Sequence, residues 1–237
     1  MPFLLFKGIF VFMKTYILFF LIFGFLSGLR GQVKTDTIDS LSYLEDQIYI
    51  SLTYNNLRNK PITISQNGFS SGISVGFIKD IPFNQENNFG LGIGLGYGYN
   101  VYIQNLKILQ VNNRLEYELA TDYKTNWLKL HSIELPFEIR WRNSTLEKFK
   151  FWRVYTGIKA SYVITSKSKF NDFETIIKAK NISSLNKFQY GITLSAGYST
   201  WNLYIYYGLN HLFNDAVFEE QQLNLKDFKV GLQFYIM

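Results

Sequence analysis

No cysteine occurs anywhere in the 237 residues. That excludes a disulfide framework and a lipid anchor attached at a leading cysteine. Histidine is nearly as scarce, with only His131 and His211, so a metal centre built on imidazoles and thiolates is not expected. Beyond the first thirty-one residues no apolar run approaches the ~20 residues that a membrane-spanning helix needs. A block of one charge is missing too: the formal charge is +6, but the lysines are scattered and no basic run stands beside a stacking motif, so no nucleic acid partner is expected.

The start of the chain reads as an export signal. An apolar run, residues 16–26, follows Lys14 and precedes Ser27, Gly28, Arg30 and Gly31. Met13-Lys14 begins a compact signal by itself, and Lys7 and Lys14 interrupt any longer anchor. Removing residues 1–31 takes away Lys7, Lys14 and Arg30 without an acid, lowering the charge to +3. A short polar lead, residues 32–46, is expected on the periplasmic side, followed by one domain over residues 47–237.

That domain alternates with a period of two, the signature of strands. The clearest case is residues 88–100, where Gly90, Gly92, Gly94, Gly96 and Gly98 interleave with Leu91, Ile93, Leu95, Tyr97 and Tyr99. One face of this strand is apolar and the other carries no side chain, so something bulky must approach the empty face. Seven more runs alternate: residues 47–57, 69–80, 130–142, 152–164, 188–198, 202–212 and 224–236. Each is long enough to cross the hydrocarbon layer as a tilted strand, and aromatic residues make up 18% of the chain.

Eight such strands let the first and last meet antiparallel, which leaves no unpaired edge. The expected fold is therefore all-β, an eight-stranded antiparallel up-and-down transmembrane β-barrel after an N-terminal signal peptide. Connections alternate between short (81–88, 143–150, 200–201) and long (58–68, 107–129, 165–187, 213–223), matching periplasmic turns and external loops. The 165–187 loop holds Lys167, Lys169, Lys178, Lys180 and Lys187, read as a solvated loop with lipopolysaccharide contact as a second role. Eight strands leave an interior that side chains fill, so Tyr204 and Tyr206 are expected to point across at the glycine face; the competing reading is that the glycines only permit tight coiling of the sheet.

These segments resemble the PorT-like outer-membrane β-barrel family of Bacteroidota. The resemblance is carried by Phe77-Ile78-Lys79-Asp80-Ile81-Pro82-Phe83, by Ile133-Glu134-Leu135-Pro136-Phe137 and by Val230-Gly231-Leu232-Gln233-Phe234. It implies an outer-membrane barrel, and its namesake takes part in type IX secretion, with relatives in gliding and adhesin export.

Glu134, Glu138, Arg140 and Arg142 share the inward face of one predicted strand, beside Arg153 and Lys159 of the next. Paired carboxylates are the material of acid–base catalysis, but with cations on every side they form ion pairs instead. His131 and Ser132 face opposite ways, so they share no proton. The glycines lie within a strand rather than between a strand and a helix, which rules out a nucleotide loop. The sequence thus predicts a non-enzymatic barrel without cofactors or catalytic residues, monomeric, serving as an envelope or secretion scaffold. Its partners would be outer-membrane lipid, lipopolysaccharide and secretion-machinery proteins; the alternative is a small-ligand binding or transport barrel.

Overall fold

The computed structural model describes residues 46–84, 86, 88–111, 114–143 and 152–236. The expected signal, and all but residue 46 of the expected lead, lie outside the described residues.

Thirteen strands are present among the described residues: β1 (Gln47–Arg58), β2 (Ser71–Pro82), β3 (Phe89–Ile103), β4 (Leu106–Val111), β5 (Arg114–Leu119), β6 (Thr125–Arg142), β7 (Trp152–Asn171), β8 (Ile176–Lys180), β9 (Phe188–Tyr198), β10 (Trp201–Gly208), β11 (Val217–Phe218), β12 (Gln221–Gln222) and β13 (Lys226–Ile236). Eight of them form the barrel wall in the order β1, β2, β3, β6, β7, β9, β10, β13, every pairing antiparallel. The wall closes because β13 pairs back onto β1, from Ile48↔Ile236 to Arg58↔Lys226. Closure satisfies the backbone of every wall strand inside a layer that offers no water. No helix of the described residues is long and apolar enough to cross a membrane; the crossing is made by strands.

The outward face is an apolar belt. On β6 it runs from Trp141 through Ile139, Phe137, Leu135 and Ile133 to His131, ten residue steps that rise about 25 Å at the usual tilt. Aromatic rings collect at both margins, as interfaces favour. At the short-turn end Trp201 packs on Phe234 (4.8 Å between ring centres), Trp152 on Tyr198 (5.5 Å) and Phe83 on Phe89 (5.7 Å). At the other end Tyr99 packs on His131 (4.9 Å), Tyr54 on Phe69 (5.6 Å) and Phe188 on Tyr190 (6.0 Å). Tyr97 also hydrogen-bonds to His131, so Tyr97 and Tyr99 lie together at the long-loop margin of the belt.

Two expected strands are longer in the structure. β6 begins at Thr125 rather than near 130, and β7 runs on to Asn171 rather than stopping near 164. Beyond the belt they continue to pair, from Thr125↔Asn171 to Leu130↔Ser166, and β8 joins β7 from Lys167↔Lys180 to Asn171↔Ile176. The lysines expected in a loop therefore sit in a sheet, apart from Lys187, because this hairpin finds hydrogen-bond partners above the barrel rim. A bulge between His131 and Ser132 of β6 leaves Ile164 of β7 without an opposite residue. Below it the even residues of β7 face outward; above it the odd ones do.

The long loops do not hang free. They bring Leu57, Ile64, Leu106, Ile108, Ile182, Leu185, Leu212, Phe213, Phe218, Leu223 and Leu225 together with Tyr102, Leu128, Leu130 and Val163 from the strand tops. The result is an apolar cap over the long-loop mouth of the barrel, in which Leu225 is fully buried. The β4–β5 hairpin and the short β11–β12 ladder are part of it. Their strands are too short and too irregular for the alternation rule to pick out.

Candidate functional site

The lumen is the place where polar chemistry collects. β2, β6, β7, β10 and β13 aim alternate residues inward, and the buried set includes Asp80, Glu134, Glu138, Asp227, Arg140, Arg142, Arg153, Lys159 and Lys229. Charges so deep need partners, and the barrel supplies them in tiers.

At the short-turn end, Arg140 donates from Nε and Nη2 to Glu138, both at 3.0 Å, and from Nη1 to Gln47 at 3.3 Å. Its Nη1 is 3.8 Å from Asp80, which also receives a charged hydrogen bond from Arg142. The Arg140 guanidinium lies 4.6 Å from the centre of the Tyr155 ring and 5.3 Å from that of Tyr235, and those two rings pack edge to face at 5.2 Å. Arg153 lies near the same rings, 6.0 and 5.8 Å from their centres. Tyr235 donates to Glu138 at 3.2 Å.

Higher up, Lys159 donates to Glu134 at 3.2 Å, and Ser74 donates to the other carboxylate oxygen at 3.2 Å. Lys159 Nζ stands 5.4 Å from the ring centre of Tyr204 and 5.0 Å from that of Tyr206. Above these, Lys229 lies 3.1 Å from Asp227 and donates to Asn100 at 2.8 Å, and Asn55 donates to the same Asn100 oxygen at 3.0 Å.

The glycine face is filled, but not by the residues expected. A Cβ at Gly92 would stand 2.5 Å from Arg140 Nε, and one at Gly94 would stand 2.6 Å from Ile78 and 2.9 Å from Pro136. At Gly96 it would collide with the Tyr49 hydroxyl, at Gly98 with Glu134, and at Gly90 with the backbone of Ile81. Tyr204 and Tyr206 are among none of these nearest atoms. They are buried in the lumen against Lys159, and Tyr206 covers Gly191 of the neighbouring strand. The physical reason is reach: side chains from β1, β2 and β6 lean across one or two strands and occupy the glycine space first.

Sequence reasoning passed over Asp80, Asp227, Tyr49, Tyr155 and Tyr235 as partners. Each has inward parity on its strand, so the alternation places them in the lumen but does not say which charge each one meets. A gap in the lumen, between Tyr49, Pro136, Glu138, Lys159 and Tyr204, has about 10 Å³ of space, room for about one water. Among the described residues no three His, Asp or Glu side chains gather to hold a metal. His131 and His211 both lie at the long-loop end, and His131 is engaged with Tyr97 and Tyr99 on the outer surface.

A closed eight-stranded wall, an apolar belt between two aromatic girdles and a charged, filled interior define an outer-membrane β-barrel. The chain belongs to the outer membrane protein beta-barrel domain family, whose profile matches residues 31–214. Among solved structures it is similar to the attachment invasion locus protein Ail of Yersinia pestis, with 12% identity and a TM-score of 0.31, covering 81% of this chain and 97% of that one. Ail in complex with the heparin analogue sucrose octasulfate is similar at 10% identity and a TM-score of 0.34, over 81% and 99% of the two chains. No curated protein matches the chain.

Proposed function

We propose that this outer-membrane barrel is a non-enzymatic scaffold or accessory of protein secretion, of the type IX kind, acting as a monomer through its cap and its envelope partners. The observation that carries the reading is the sealed interior. Ion pairs and tyrosines fill the lumen, and the apolar core of the loops covers its mouth, so the barrel offers its surfaces rather than a passage. The secretion branch of the proposal draws on the PorT-like segments around Phe77, Ile133 and Val230.

Deleting the gene and comparing the proteins released and displayed by the cells tests that branch. A defined group of secreted proteins is expected to be lost from the surface and medium; an unchanged set overturns the secretion role. Single-channel recording on the refolded barrel tests the scaffold: silence is expected, and a steady, sizeable conductance overturns it.

A further inference from the structure

Two rows of the sheet above the barrel rim place lysines side by side. Lys129, Lys167 and Lys180 form one row across β6, β7 and β8, and Trp127, Lys169 and Lys178 form the next. All six side chains are on the outward face, opposite the buried Leu128, Ser166, Ser168, Phe170 and Ala179. The arrangement depends on the bulge at Ile164, since without it Lys167 and Lys169 would face inward with the barrel's parity. Like charges directly opposite one another in a sheet repel, so the isolated fold gains nothing from these rows. Among the described residues none of the five lysines pairs with a carboxylate, and the nearby Asp172 is occupied by the backbone and hydroxyl of Thr175. Lys129 lies over the Trp127 ring at 4.2 Å.

Height identifies the partner. His131 marks the outer aromatic girdle, and the first lysine row lies two residues beyond it, about 5 Å higher at the usual strand tilt. The second row is two residues higher again. That is the level at which lipid phosphates begin, on the same face that carries the apolar belt.

We infer that the outward face of the β6–β7–β8 extension is a docking surface for the phosphate groups of outer-leaflet lipid. The five lysines supply the charge and Trp127 the interfacial anchor. This surface stands independently of the secretion role.

The test uses the whole refolded barrel in phosphatidylcholine vesicles, with and without bisphosphorylated lipid A, and reads the thermal midpoint. Lipid A is expected to raise the midpoint of the parent protein. The double variant Lys167→Gln/Lys180→Gln should lose about 5 °C of that rise, taking the usual attraction of a lysine to an anionic surface. In phosphatidylcholine alone the same variant should be at least as stable as the parent, because the repulsion is relieved. A control pair on the exposed loops at the same end, Lys60→Gln/Lys124→Gln, should keep the full rise. Equal rises in parent and platform variant overturn the inference. So does inorganic pyrophosphate that reproduces the rise without lipid A, which marks a soluble-anion site. Should the platform variant fail to fold, salt on the parent decides: a rise that collapses as NaCl increases supports the surface, and one that persists overturns it.

Discussion

The lumen and the cap are both closed, by opposite means. In the lumen the buried groups are carboxylates, guanidiniums, ammoniums and phenols, while in the cap they are Leu, Ile and Phe. The wall strands are fixed by ladder hydrogen bonds along nearly their whole length, so they hold a charge to within hydrogen-bond reach of its partner. The loops have only short ladders, β4–β5 and β11–β12 among them, and are otherwise held by burial. Electrostatic pairing closes the part of the molecule whose geometry is already rigid; the hydrophobic effect organises the part whose geometry is not.

The sharpest way to break this contrast is to remove one member of a lumen pair. Glu134→Ala leaves Lys159 buried without its carboxylate and should lower stability by about 3–5 kcal/mol, read from urea unfolding in lipid or detergent. Replacing Glu134 and Lys159 together by apolar residues of similar volume should recover most of that loss. In the cap, Leu225→Ala should cost about 2–3 kcal/mol, toward the low end for a buried leucine, because loops relax into the space. Its signature is proteolytic cutting in the long loops while the barrel stays folded; simultaneous loss of both would show the two regions to be one cooperative unit.

Overfilling the lumen ranks next. Gly96→Ala drives a methyl group into the Tyr49 hydroxyl and the backbone near Val75, for a cost of about 1–3 kcal/mol, whereas Gly68→Ala meets only the Ile103 side chain and should cost less. The smallest effect belongs to the cap surface, where Lys107 and Glu118 pair at 3.1 Å; Glu118→Gln should change stability by about 0.5 kcal/mol or less.

A pH experiment sharpens the same comparison. Burial raises the Tyr117 phenol above its ordinary range, although its hydrogen bond with Ser184 pulls the other way. A raised value means that the folded cap holds this proton more tightly than the unfolded chain. Its contribution is complete below the ordinary tyrosine range and is lost as pH climbs beyond it. Loop proteolysis should therefore accelerate in strong alkali, and Tyr117→Phe should flatten that dependence.

The barrel was legible because its signal is local. Parity in Ile133, Leu135, Phe137, Ile139 and Trp141 assigns the lipid face of β6 and, with it, the inward Glu134, Glu138 and Arg140. The glycine run likewise announced that its face is crowded, but which side chains crowd it depends on stagger between strands, and one strand's alternation carries no information about stagger. The cap was hidden for a different reason. Leu57, Ile64, Phe213 and Leu225 are far apart in the chain and have no common period, so only folding brings them together. The lysine rows differ from the expected loop because β7 continues past Ile164, where a bulge interrupts the alternation that marks a strand, and a bulge leaves no mark in composition.

The seam between β1 and β13 joins Ile48 to Ile236, nearly the whole length of the described chain. The two margins of the wall stay unpaired until β13 meets β1, so the last strand in the chain completes the fold. Until then the wall is an open ribbon with one greasy side and two reactive margins.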